Sequence, residues 1–244
     1  MGTVMTGTYA DPRVGSASGW PLVLYFHHVC SDMTHYTALT PGAFRQGLDL
    51  VLSEFGPALD PGTVRAGFVP PDRPSVLITF DDGYRDNWQI AAPILAEFDT
   101  RIALFCITDA LTIGESSGPG TEFMSWRQAM EMRAEGHLLA AHTRTHPKLT
   151  DLDAPSVRQE VLGSLSALAE RTGQPTTLFA YPYGLVPAGA VLGTDVLGFS
   201  TIKAEPTAWD SAPHRIRRTY LPTHDPDSWP ALVREWKRQW YVSQ

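Results

Sequence analysis

Short apolar runs alternate along this chain with longer segments in which apolar residues recur at helical spacing. Residues 22–29 and 75–80 are runs of the first kind and predict buried strands. Between them, one segment shows the spacing of an amphipathic helix in five positions: Phe44, Leu48, Val51, Leu52 and Phe55. Thr40 and Pro41 precede that helix as a typical N-cap and first-turn pair. This alternation favours an α/β domain with parallel strands.

The same pattern continues to the end of the chain. Further strands are predicted over residues 101–107, 137–141, 177–181, 199–203 and 216–221, and further helices over 84–98, 126–134, 151–171 and 228–240. Loops are predicted over residues 57–74 and 114–120. With about seven β/α units, we predict a single-domain α/β fold, a deformed (β/α)7-type barrel related to the TIM barrel. In such barrels the functional side chains lie at the carboxyl ends of the strands.

The composition excludes several classes of partner. The 244 residues are 43% hydrophobic and 18% charged, with a net charge of −7, which argues against a nucleic-acid-binding surface. No apolar run approaches the roughly 20 residues that span a membrane. The first 19 residues lack the apolar core of a signal peptide. We therefore predict a flexible arm over residues 1–20, a folded domain over residues 21–244 and a cytoplasmic location.

Two polar pairs follow predicted strands. Asp81 and Asp82 end one strand, and His142 and His146 follow another. Each pair alone is ambiguous, because Asp-Asp-Gly also fits a solvated turn and four-residue histidine spacing occurs on many helices. Pro147 disfavours helical backbone at His146, which favours a strand-to-loop turn. Together at strand ends, one carboxylate and two imidazoles are typical ligands of a divalent metal, and the second carboxylate is available as a base.

Four stretches of the chain resemble a known family. They are LYFHHV at residues 24–29, TFDDGYRDN at 79–87, HTRTH at 142–146 and FAYPYG at 179–184. In order and spacing they resemble carbohydrate esterase family 4, the polysaccharide deacetylases with a NodB-type homology domain. The resemblance implies that residues 21–244 form a deacetylase-like catalytic domain.

The resemblance also implies roles for individual residues. Asp82, His142 and His146 would hold a divalent metal, usually Zn²⁺ in such enzymes. Asp81 would be the base that takes a proton from the attacking water. A backbone N–H near Tyr183 would stabilise the developing oxyanion.

The general acid departs from the usual family pattern. Most members place this histidine late, in a Leu-x-His segment that this chain lacks at the expected spacing. His27 resembles the histidine of a permuted subgroup typified by poly-N-acetylglucosamine deacetylases. We predict His27 as the acid and keep His28 as the alternative; a purely structural histidine is the other interpretation of His27.

A second departure concerns the residue that orients the base. Ala180 stands where many members carry an arginine. Arg218 is our candidate to replace that arginine, because the subgroup has an arginine near this position. A guanidinium there would keep Asp81 ionised. The alternative is that Arg218 lies on the surface of an edge strand.

Other residues have less specific signals. Tyr84, Trp126 and Tyr183 are predicted to contact the substrate, although aromatic residues at helical spacing also occur in protein cores. The remaining histidines are interpreted as surface or packing groups: His35, His137, His214 and His224.

Three functions are compatible with these motifs. The leading hypothesis is a metal-dependent hydrolase that removes an N-acetyl group from an amino sugar, either an oligosaccharide or a small metabolite. The second is hydrolysis of a non-sugar amide, ureide or imide at the same site. The third is an inactive carbohydrate-binding relative, for which a lost base or metal ligand would be expected, whereas Asp81 and the three candidate ligands are all present.

Overall fold

Six parallel strands form one curved sheet in the computed structural model, which describes residues 10–32, 35–117, 122–189 and 191–242. In chain order the strands are β1 (Leu22–Phe26), β2 (His28–Val29), β3 (Ala38–Leu39), β4 (Val76–Asp82), β5 (Ala103–Cys106), β6 (Leu138–Ala141), β7 (Leu178–Ala180) and β8 (Leu197–Phe199). The sheet order is β1-β4-β5-β6-β7-β8, and β2 pairs separately with β3. The predicted parallel α/β domain is confirmed.

A short segment, residues 216–219, lies between the two ends of this sheet. On one side the amide of Tyr25 in β1 donates to the carbonyl of Thr219 at 3.0 Å. On the other side the amide of Ser200, just after β8, donates to the carbonyl of Ile216 at 2.8 Å. This segment occupies the seventh position as isolated bridges rather than as a regular strand. The prediction of a single-domain, deformed (β/α)7-type barrel is confirmed.

Within the described ranges, six α-helices accompany the sheet. They are α1 (Pro41–Phe55), α2 (Ala92–Glu97), α3 (Thr108–Ser117), α4 (Trp126–Ala134), α5 (Ala154–Thr172) and α6 (Trp229–Tyr241). The predicted cap of α1 is present, since the Thr40 hydroxyl accepts from the amide of Ala43 at 3.2 Å.

Several predicted elements differ from the structure. The strand predicted over residues 199–203 is the earlier β8, and the strand predicted over residues 216–221 consists of isolated bridges. The helix predicted over residues 84–98 is a π-helical turn, Asn87–Ala91, followed by the short α2. Pro93 lies in the first turn of α2 and has no amide hydrogen for the regular helical ladder, which is consistent with this irregular start. The loop predicted over residues 114–120 is helical through Ser117, and its last three residues lie outside the described ranges. Gly114 fits there because a Cβ at this position would lie 2.2 Å from the carbonyl oxygen of Met124.

Strict alternation along the strands separates two apolar layers. In β1 the side chains of Leu22, Leu24 and Phe26 belong to the outer core between the sheet and the helices, whereas Val23 belongs to the inner core of the barrel. The same alternation in β4 puts Leu77 in the inner core and Phe80 in the outer core. Because side chains alternate with a period of two, the next inward-facing residues of each strand point into the barrel interior at its carboxyl end.

Part of the predicted N-terminal arm is bound to the domain. Residues 1–9 lie outside the described ranges. Arg217 is buried and donates to the carbonyls of Asp11 at 2.8 Å and Val14 at 3.1 Å. The carbonyl of Pro12 accepts from Trp236 of α6 at 2.9 Å. Residues 11–14 are therefore held on the folded domain. None of the described helices has the length and apolar character needed to cross a bilayer.

We expect Arg217→Met to release this N-terminal segment. The substitution removes four hydrogen bonds to carbonyls, those of Asp11, Val14, Ile202 and Ala204, and we expect it to lower the free energy of unfolding by about 2–3 kcal/mol. Limited trypsin digestion followed by mass spectrometry should show faster cleavage after the exposed Arg13. Arg215→Met, at an exposed position two residues away, is the matched control. Equal cleavage rates in both variants would contradict this role of Arg217.

Candidate active site

A cluster of polar side chains lies at the carboxyl ends of the strands, as the barrel prediction requires. It lines a pocket of about 550 Å³. Asp81 and Asp82 end β4, His142 directly follows β6, and His27 directly follows β1. Tyr183 reaches the same pocket from the turn after β7.

Asp82, His142 and His146 form a group that could hold one metal ion. The Nε2 atoms of the two histidines each lie 3.4 Å from Oδ1 of Asp82. One ligand atom from each residue lies within 4.8 Å of the others. The three side chains predicted as ligands are therefore brought together.

The protonation states of these side chains fit a divalent cation. Nδ1 of His142 lies 2.8 Å from the carbonyl of Ala180, which only accepts, so Nδ1 carries a proton. Burial lowers the pKa of His142, but the neighbouring carboxylates of Asp82 and Asp81 outweigh burial and leave that pKa above its ordinary value of 6.5. Burial lowers the pKa of His146 to about 4, so its imidazole is neutral at pH 7. Among the described residues, the buried Oδ1 of Asp82 has no hydrogen-bond partner. A divalent cation bound between Asp82 and the two imidazoles would supply the positive charge that this carboxylate oxygen needs and would take the place of a proton on the ring nitrogens.

Backbone strain is concentrated at this site. Within the described ranges, five residues other than glycine have a positive φ, and four of them are Asp82, Thr143, His146 and Tyr183. Their φ angles lie between 59° and 72°, in the left-handed region that side chains disfavour. Such strain persists where surrounding structure enforces it and clusters at functional sites. It turns Asp82 and His146 away from the directions that a regular strand would give them.

Asp81 is held by a buried arginine. Nη1 and Nη2 of Arg218 donate to the two carboxylate oxygens at 2.6 and 2.8 Å. Nε of Arg218 donates to the carbonyl of Ser200 at 2.8 Å, and the guanidinium lies 5.0 Å from the ring of Tyr25. Arg218 is therefore a buried ion-pair partner and not a surface residue of an edge strand.

The charge of Asp81 depends on this pair. Burial raises the pKa of Asp81, but Arg218 and His142 outweigh burial and leave the pKa below its ordinary value of 3.8. The carboxylate is therefore ionised at neutral pH.

His27 and His28 lie in different surroundings. Nε2 of His27 lies 3.9 Å from Oδ2 of Asp82, and burial lowers the pKa of His27. Nδ1 of His28 lies 2.6 Å from Asp86, and its ring stacks on Tyr84 at 3.7 Å. Of the two histidines, His27 thus continues the inner series of β1 and faces Asp82.

His28 belongs to a second group of possible ligands, which also contains Cys30 and Asp86. Both carboxylate oxygens of Asp86 are already used, one by His28 and the other by the amide of Val29 at 3.2 Å and the side chain of Asn87 at 2.7 Å. These hydrogen bonds connect β2 to the start of the π-helical turn. The contacts of His28 and Asp86 therefore have a structural role in joining these two elements.

The predicted substrate-contacting residues do not all reach the pocket. Tyr183 is 47% exposed and lines it, and Tyr84 lines it between His28 and Phe123. Trp126 is only 4% exposed and does not line it. Its Nε1 donates to Thr112 at 3.0 Å, so Trp126 joins α4 to α3 in the core. The prediction for Trp126 is therefore corrected.

Three pocket residues had no recognised signal in the sequence. His35 and Tyr36 line the pocket, and the buried hydroxyl of Thr37 contacts His27. His35 was interpreted above as a surface or packing group, because it lies in a polar loop without periodicity. Its position six residues before Pro41 indicates only a loop. The pairing of β2 with β3 is what brings these residues to the pocket.

The fold is a parallel α/β barrel with a cluster of carboxylates and imidazoles at the carboxyl ends of its strands. The family model described as polysaccharide deacetylase matches residues 69–202, more than half of the chain. The chain belongs to the polysaccharide deacetylase family. The Bacillus subtilis (strain 168) protein YxkH is 30% identical over 153 residues, which are 60% of this chain and 52% of YxkH. The chain thus spans about half the length of this curated relative.

Two solved structures share the fold. One is the Streptococcus pyogenes deacetylase PplD in complex with acetate, with a TM-score of 0.72 and 23% identity, over 88% of this chain and 97% of that chain. The other is IcaB from Ammonifex degensii, with a TM-score of 0.69 and 23% identity, over 92% of this chain and all of that chain.

We expect the protein to bind one Zn²⁺ per chain at pH 7, and Asp82→Ala to weaken the affinity by more than about 100-fold. The substitution removes the only carboxylate of the described ligand group. Titration calorimetry of protein freed of metal by chelation measures the affinity. Asp109→Ala is the matched control, because Asp109 lines the same pocket but pairs with Arg144 at 2.8 Å. Unchanged zinc affinity in Asp82→Ala would refute this site.

We expect Arg218→Met to lower the free energy of unfolding at pH 7 by about 3–5 kcal/mol, because a buried carboxylate loses its counter-charge. In the unmodified protein the pKa of Asp81 is below 3.8, so its stabilising contribution is present above pH 3.8 and is lost as pH falls through the folded-state pKa. In the variant, burial raises the pKa of Asp81, so stability is lost as pH rises through that raised pKa. The stability difference between the two proteins should therefore grow from pH 4 to pH 8 in urea unfolding.

The control is the double variant Arg218→Met with Asp81→Asn. It removes the charge that Arg218→Met leaves buried, so its stability should vary little between pH 4 and pH 8. A stability loss in Arg218→Met that is independent of pH would show that packing, and not the ion pair, is the main contribution of Arg218.

Proposed function

We propose that this protein is a divalent-metal-dependent deacetylase that hydrolyses the N-acetyl group of an amino sugar within an oligosaccharide or polysaccharide. The observation that carries the proposal is the convergence of Asp82, His142 and His146 beside the ionised Asp81. Membership of the polysaccharide deacetylase family supports the reaction class. Zn²⁺ is the metal that this mixed carboxylate and imidazole group favours, and when bound it polarises a carbonyl and acidifies water.

Asp81 is the base in this proposal. Its carboxylate is kept ionised by Arg218, and the two hydrogen bonds at 2.6 and 2.8 Å hold its plane against rotation. A carboxylate that is charged at neutral pH can accept the proton of the attacking water. Arg218 does not reach the substrate in this scheme and acts through Asp81.

His27 is the general acid in this proposal, and His28 is not. The departing nitrogen of an amide must gain a proton before the C–N bond breaks. Nε2 of His27 faces the same pocket as Asp81 and Asp82. Nδ1 of His28 is engaged with Asp86, and its ring is covered by Tyr84.

Tyr183 serves two purposes in the proposal. Its backbone has a φ of 59°, and we infer that this conformation presents the amide to the oxygen of the scissile carbonyl. Its half-exposed ring contacts His146 at 4.8 Å and offers an apolar face to a sugar ring. Tyr84 contributes a second aromatic surface to the same pocket. Exposed aromatic rings beside charged groups are typical of sites that bind saccharides, which supports a sugar substrate over a small non-sugar amide.

The proposal is tested by measuring acetate release by the zinc-loaded protein. The panel contains N-acetylglucosamine, chitooligosaccharides and peptidoglycan fragments, beside a cyclic imide and a ureide. We expect acetate from at least one N-acetyl sugar, abolition by chelation and recovery with Zn²⁺. We expect Asp81→Asn to lower kcat by at least about 100-fold, because it removes the base.

Asp109→Asn is the matched control for Asp81→Asn and should keep near-normal activity. Turnover of the imide or ureide without any acetate from sugars would favour the alternative hydrolase. Binding of an N-acetyl sugar without turnover in the unmodified, zinc-loaded protein would favour the inactive relative.

A further inference from the structure

A chain of hydrogen bonds leads from His27 away from the pocket. Nδ1 of His27 lies 2.8 Å from the hydroxyl of Thr37, and the same hydroxyl lies 2.9 Å from Nδ1 of His35. Thr37 is only 1% exposed, whereas His35 is half-buried and lines the pocket. The buried hydroxyl therefore connects two imidazoles, and its single proton can satisfy only one of them.

The direction of this chain follows from one further contact. The backbone amide of Thr37 donates to Nδ1 of His35 at 3.4 Å, so that nitrogen is an acceptor. The hydroxyl of Thr37 must then donate to His35 and accept from His27. Nδ1 of His27 consequently carries a proton, and Nε2 is the nitrogen whose protonation changes.

The strand pairing explains why a threonine reaches this position. β2 and β3 pair in parallel with His28 beside Ala38 and Val29 beside Leu39. The residues just before each strand, His27 and Thr37, are therefore brought side by side. On its other side the carbonyl of His27 accepts from the side chain of Asn87 at 2.8 Å, so both its backbone and its ring are held.

We propose that Thr37 and His35 are positioning residues that fix the tautomer and orientation of His27, so that Nε2 faces the departing nitrogen. This inference rests on the proposed function of His27 as general acid. To act as the acid, His27 first takes up a proton from solvent on Nε2 and becomes a cation with a proton on each ring nitrogen. When it gives the Nε2 proton to the nitrogen, the C–N bond breaks, the amine leaves with that proton, and the imidazole returns to its neutral form with the remaining proton on Nδ1. Thr37 and His35 contact neither the substrate nor the candidate metal ligands in this scheme.

The tautomer of His27 can be measured directly by NMR, without an activity assay. Long-range ¹H–¹⁵N spectra of the zinc-loaded protein at pH 8 distinguish a protonated Nδ1 from a protonated Nε2, and the His27→Gln variant assigns the signals of His27. We expect a single neutral tautomer with the proton on Nδ1. Thr37→Val, which keeps the shape and removes the hydroxyl, should lose this single pattern, and Thr37→Ser should retain it. A proton on Nε2 in the unmodified protein would overturn the inference.

Kinetics provide the second readout, because only some leaving groups need an acid. We expect Thr37→Val to lower kcat for the N-acetyl sugar by about 10- to 100-fold with little change in KM. Thr37→Ser should stay within about threefold of the unmodified protein. With 4-nitrophenyl acetate, whose nitrophenolate leaves without a proton, both variants should match the unmodified protein. His35→Phe removes the acceptor and should behave like Thr37→Val. His35→Asn should lose less activity on the N-acetyl sugar than His35→Phe.

The outcomes separate the two hypotheses. If the unmodified protein releases acetate from an N-acetyl sugar but Thr37→Val is equally active, the positioning inference is overturned and the proposed function stands. Equal losses of Thr37→Val on the sugar and the ester would also overturn it, since they indicate a general structural role. If no sugar is hydrolysed while the spectra show the predicted tautomer and its loss in Thr37→Val, the proposed function fails and the positioning of His27 stands.

Discussion

The buried ion pair between Arg218 and Asp81 links the closure of the barrel to the chemistry of its site. Arg218 lies in the segment that fills the seventh position by isolated bridges, and Asp81 lies in β4, two places away around the sheet. The pair crosses the barrel interior, where a single unpaired charge would cost several kcal/mol. Removing either partner therefore affects the fold and the base together. Few backbone hydrogen bonds flank Arg218, so side-chain contacts contribute much of the closure of the barrel.

Neighbouring residues of the segment 216–219 point to opposite sides of the barrel wall. Ile216 and Arg218 face the barrel interior, whereas Arg217 faces outward and holds the chain at Asp11 and Val14. This is the same period of two that separates the inner and outer layers of β1 and β4. An N-terminal segment on the outer surface and the proposed base, Asp81, inside the barrel are therefore positioned by adjacent arginines.

Strand periodicity predicted the positions of Asp81 and His142, whereas other parts of the site could not be predicted from the sequence. Asp81 and His142 follow long apolar runs, so their strand-end positions could be read directly from the sequence. Arg218 needed the family resemblance, because three arginines in four residues carry no signal for which of them faces the barrel interior. Thr37 lies beside a two-residue strand, too short to show a period. Trp126 was misplaced because a tryptophan suits both a core and a sugar-binding wall, and only tertiary packing distinguishes them.

The two groups assigned to proton transfer are supported by chemically different partners. Arg218 places a full positive charge against Asp81, which keeps that carboxylate ionised across the neutral range. Thr37 places an uncharged hydroxyl against His27, which constrains the ring without favouring its charged form as a carboxylate would. A base must stay charged until it accepts a proton, whereas an acid must be able to exist in both states. The choice of a guanidinium for one and a hydroxyl for the other follows from that difference.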